Sequence, residues 1–136
     1  MNSVGRWPLP VLLFISYVLL LGALSVFKSA EIFLPQIYAL EHWLGGDKWM
    51  HFKLSAMLAV LTCFASERVL DLAPFRRILV ATLCLALALS IDEALQGVFA
   101  SRRFELADLA YGCSGVLAGV VGYLAVVWVK TGRMAG

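Results

Sequence analysis

The chain has 136 residues, 62% hydrophobic and 15% charged, with a mean hydropathy of +0.88. A soluble domain of this size needs far more polar surface around its core, so composition excludes a soluble globular protein and indicates an all-α integral membrane domain. The net charge of +2 and the scattered basic residues exclude nucleic acid as a partner.

The pattern predicts a single domain, 1–136, built as a bundle of four transmembrane helices with a short interfacial helix between the first and second. The first span, about 7–27, carries no charge, and Pro8 and Pro10 fall in its first turn, where a missing amide proton is tolerated. The run is long for a signal peptide and reads as a retained span. Residues 28–48 form the longest connection. There Pro35 can start a helix and Gly45-Gly46 can end it, with Phe33, Ile37, Leu40 and Leu44 at helical spacing. Trp43 and Trp49 mark one headgroup level, Trp7 and Trp128 the other, and His42 reads as a solvated loop residue.

The second span, about 49–65, follows Asp47-Lys48, and Asp47, His51, Ser55 and Thr62 share one helical face. Lys53 lies on another face and reads as a snorkelling anchor. Residues 66–77, with Pro74 and the Arg76-Arg77 pair, read as a polar connection. The third span, about 78–99, places the small residues Ala81, Cys84 and Ala88 on a line leading to Asp92. At ~1.5 Å per residue it is about long enough for a ~30 Å hydrocarbon core. In the fourth, about 107–129, Asp108, Gly112, Gly115, Gly119 and Gly122 fall in a single stripe, which predicts a close helix–helix contact that carries Asp108 inward. Cys63, Cys84 and Cys113 read as buried thiols filling small gaps.

Four spans put both termini on one side, with six basic residues there against five on the other, an excess that favours cytoplasmic termini. Asp47, Lys48, His51, Asp92, Glu93, Gln96, Arg102 and Asp108 then share the opposite, extracytoplasmic rim. Charges at that depth are costly and normally face a bundle interior or a water-filled cavity, so the rim is the candidate site. Arg102 suits a forked contact with a carboxylate or phosphate, Lys48 adds a point charge, and His51 can change protonation near neutral pH. No zinc, nucleophile-elbow or phosphate-loop signature is present, and no ligand spacing marks a metal or cofactor site.

DKWMHF at 47–52, DEALQ at 92–96, Arg102, Asp108 and Gly115 resemble, in order and spacing, the motifs of the VanZ-like membrane proteins, over about 47–119. Ser55 stands where that family usually has an aromatic residue, Ala100-Ser101 replace a common Pro-Gly, and Gly112 replaces an asparagine. The resemblance implies a bacterial cell-envelope protein of the cytoplasmic membrane, linked to teicoplanin tolerance. Three functions fit the rim. The first is binding of an anionic, lipid-linked envelope precursor through Arg102, Lys48 and His51, with Gln96, Asp47 and Asp108 in the binding set. The second is a membrane-embedded hydrolase or transferase, with Glu93 or Asp92 as general base and His51 as acid–base partner. The third is a proton-coupled or lipid translocator, acting as a homodimer.

Overall fold

The structure, a computed structural model, describes residues 8–99 and 103–134. Five helices follow one another: α1 (Leu9–Ser29), α2 (Leu34–Trp43), α3 (Asp47–Val69), α4 (Pro74–Phe99) and α5 (Leu106–Met134), with no strand among the described residues. α1, α3, α4 and α5 are each long and apolar enough to cross a membrane, and α2 is the short helix between the first two spans. The protein is therefore a multi-pass, all-helical membrane protein. α3 and α5 run parallel to each other from the same end of the bundle, and α1 and α4 run back toward it.

The helix ends follow from local chemistry. Pro8 caps α1 with extended backbone, and Pro10 follows in its first turn. α2 closes on Gly45 and Gly46, whose positive φ values of 99° and 109° let their amides bond back to the carbonyls of His42 and Glu41. His42 lies in the last turn of α2, still exposed, rather than in a loop. α4 begins at Pro74, so Arg76 and Arg77 belong to its first turn rather than to the preceding connection. A proline there loses no intrahelical bond, which is why the helix extends back beyond the apolar run.

The centre of the bundle is the contact between α3 and α5. A Cβ on Gly115 would stand 2.2 Å from the Phe52 carbonyl oxygen, and one on Gly119 would stand 2.2 Å from that of Ala56. At both crossings the backbones touch directly, as small residues allow in lipid, where packing drives helix association. Gly112 completes the stripe against Ser55 and Leu89, but Gly122 meets nothing and Tyr123, 2% exposed, takes the inward position instead. Ala59, Leu58, Leu85 and Val116 fill the core beside this seam, and Phe14, Tyr17 and Leu21 of α1 pack onto it.

Only part of the small-residue line on α4 is buried. The inward residues of α4 are Ala81, Leu85, Glu93 and Gln96, whereas Cys84 and Ala88 are exposed. Ala81 and Leu85 together make its apolar contact with the core, and the line of small residues turns outward from Cys84. The thiols differ accordingly: Cys63 is buried, Cys113 half-buried and Cys84 exposed.

Away from the rim, Tyr123 donates a hydrogen bond to Glu67, and Arg77 Nη2 donates to the Tyr123 hydroxyl at 3.2 Å. This knot ties α3, α4 and α5 at that end. At the opposite end Lys53, read as a snorkelling anchor, is exposed and donates to the Leu44 carbonyl at 2.7 Å, which holds the end of α2 against α3.

Gly115→Ala and Gly119→Ala should each lower stability by about 1–3 kcal/mol or more, because the added carbon has no flexible neighbour to displace. Gly122→Ala, pointing into open space, should be neutral. Thermal unfolding in detergent reads all three.

Candidate functional site

The ends of α1 and α4 and the starts of α3 and α5 meet at one rim, and α2 covers it. Lys28, in the last turn of α1, donates to Glu41 of α2 and, at 3.1 Å, to Asp47 Oδ1 of α3. Lys48 donates to Glu105 at 2.7 Å and to Asp108 Oδ1 at 2.8 Å. His51 stands between the two aspartates: its Nε2 lies 3.6 Å from Asp47 Oδ1 and 3.8 Å from Asp108 Oδ2. That nitrogen is sealed from solvent and has no hydrogen-bond partner among the described residues.

Asp92 and Glu93, adjacent in sequence, do different things because they point about 100° apart on α4. Glu93 is buried and accepts the backbone N–H of Glu105 at 3.1 Å, which fastens the start of α5 to α4. Asp92 is exposed and accepts from Ser25 of α1 at 3.0 Å and from Gln96 Nε2 at 2.7 Å. Gln96 Nε2 also donates to the Ser25 hydroxyl at 3.1 Å. The carboxylate fixes which way the Gln96 amide faces, since only the NH₂ group can meet it. Gln96 is 6% exposed, and its Oε1 has no partner among the described residues.

Between α1, α3 and α4 lies a cavity of about 290 Å³. Val18, Leu21, Leu54 and Leu58 line its apolar length. At the rim its wall turns polar, with Ser25, Lys28, His51, Asp92 and Gln96. Ser55 and Gly112 lie against each other beside it: a Cβ on Gly112 would meet Ser55 Oγ at 3.4 Å. A larger side chain at either position would press on the other helix.

Asp47, Lys48, His51 and Asp108 thus come together as one cluster. Asp92 and Gln96 form a second group on the cavity wall, which of the first cluster only His51 lines, and neither Asp92 nor Glu93 hydrogen-bonds Lys48 or His51. Arg102 lies outside the described residues, and Arg103 is exposed. Sequence reasoning missed Lys28, Ser25, Glu41 and Glu105 as members of the site. The available signal was charge balance, because Lys28 is the one charge in α1 and sits on its last turn. No protein-family model, curated protein or solved structure matches this chain.

Lys28 and Glu41 have side chains only 13% and 12% exposed, so breaking the pair strands a buried charge. Lys28→Met should cost about 3 kcal/mol, and adding Glu41→Gln should recover part of it, because the double variant no longer buries the Glu41 charge without its lysine. Unfolding of the single and double variants in detergent tests the pair.

Proposed function

We propose that this is a protein of the bacterial cytoplasmic membrane, with both termini cytoplasmic, that binds an anionic lipid-linked envelope component at its outward rim. The observation that supports this reading is the cavity, which is apolar along the helices and polar at one end, the profile of an amphiphile. An apolar chain would lie between α1 and α4, with its headgroup among Ser25, Lys28, His51 and Gln96. Lys28 offers donors to phosphate oxygens, and the unpaired Gln96 Oε1 offers an acceptor to an adjacent hydroxyl. A phosphate beside a sugar or alcohol hydroxyl satisfies both. An anion reaching Lys48 would displace Glu105, whose side chain is 51% exposed, while Asp108 stays at 2.8 Å. The small excess of basic residues on the terminal side supports the orientation.

Gly22 lines the cavity with nothing within 4 Å of where its Cβ would be, and Ala88 lines the facing wall. Gly22→Phe and Ala88→Phe should therefore fill the space without disturbing the core. Titration of the purified protein in detergent with a fluorescent polyprenyl phosphate should show saturable binding that either variant weakens roughly 10-fold, since about 1.4 kcal/mol of lost contact suffices. Equal binding of the uncharged polyprenol would remove the anionic headgroup from the reading, and unaltered binding by both variants would remove the cavity. In cells, the tolerance that resemblance to VanZ-like proteins implies should be lower with Ala88→Phe than with the parent chain when teicoplanin is titrated.

A further inference from the structure

We propose that Asp47, His51 and Asp108 form a binding site for a divalent transition-metal ion of the zinc class. One imidazole nitrogen and one carboxylate oxygen from each aspartate lie within 4.8 Å of one another. Ligand atoms each ~2.0–2.2 Å from a zinc ion stand about 3–4 Å apart, the range in which His51 Nε2 lies from the two aspartates.

The same separations are wrong for the alternative, an imidazolium held by carboxylates. A charged N–H bonds a carboxylate at about 2.7–2.9 Å, and here neither aspartate is that close. His51 Nε2 is instead a buried atom without a hydrogen bond, aimed between two acids, one of which, Asp108, has a side chain 5% exposed. Such an arrangement costs free energy unless something occupies the space between.

Charge balance points the same way. Four carboxylates, those of Glu41, Asp47, Glu105 and Asp108, share two ammonium groups, Lys28 and Lys48. If Glu41 and Glu105 neutralise the lysines, the two aspartates retain two negative charges at a membrane rim, and a divalent cation cancels them. The lysines then serve as partners that orient the ligating carboxylates, as the outer contacts of metal sites do. Mixed imidazole and carboxylate donors suit zinc-class ions, whereas magnesium and calcium favour all-oxygen sets. Three protein ligands leave a coordination position open. The site stands independently of what else the cavity holds.

Protein purified in detergent and stripped with EDTA should take up one Zn²⁺ per chain in calorimetry, with a rise in Tm. Loss of an outer partner of a metal typically weakens affinity about 10–100-fold, so loss of a ligand in His51→Ala should weaken it by at least roughly 10-fold. Asp71→Asn, in the connection between α3 and α4, should leave binding unchanged. Failure of the folded parent protein to bind Zn²⁺ stoichiometrically would overturn the site, as would unweakened binding by His51→Ala. Equal affinity for Mg²⁺ or Ca²⁺ would overturn the assignment of metal class. Because removing the imidazole can also loosen the rim, Co²⁺-loaded His51→Cys provides a separate reading. A sulfur-to-cobalt charge-transfer band should appear, and its absence from the folded variant would also overturn the site.

Discussion

Direct backbone contact between α3 and α5 governs everything else in this molecule. Gly115 opposes Phe52 and Gly119 opposes Ala56, the same offset at both crossings, so the two parallel helices are locked in one register. That register decides which residues meet at the rim. His51 precedes Phe52, and Asp108 lies two turns before Gly115, which brings the imidazole beside the carboxylate without any contribution from the loops. Wider separation would move the polar groups apart as well as loosen the core.

The rim is a dense exchange of charge rather than a collection of free binding groups. Lys28 joins α1, α2 and α3, and Lys48 joins α3 to α5. Paired in this way, the charges can stand at the edge of a hydrocarbon layer where single ones could not. The pairing also restricts function. Lys48 already holds two carboxylates, so its charge is committed within the protein.

Much of this was legible in the sequence because lipid imposes strong rules. Four apolar runs gave four spans, and the Gly45-Gly46 pair ended the short helix as left-handed glycines do. The glycine stripe was readable as far as Gly119, where periodicity stopped deciding, since Gly122 and Tyr123 differ by one position and packing chose the larger residue. On α4 the line of small residues leading to Asp92 was readable, but only Ala81 of it is buried, and Leu85, Glu93 and Gln96 take the other inward positions. The partnerships at the rim could not be read at all. Asp47 and His51 are one turn apart, but Asp108 is distant in sequence, and only the α3–α5 register joins them. Lys28 likewise reaches its acids through the connection after Ser29, where Glu31 and Phe33 adopt positive φ.

α1 is attached differently from the other spans. It rests on α3 through Phe14, Tyr17 and Leu21, with the Tyr17 hydroxyl donating to the Leu54 carbonyl at 2.9 Å, and it buries only Val11 fully. Its link to α4 is the Ser25–Asp92–Gln96 group at the rim. Parting α1 from α4 therefore breaks a few polar contacts and leaves the α3–α5 seam whole. Of the four long helices, α1 is thus the one whose displacement would cost the bundle least.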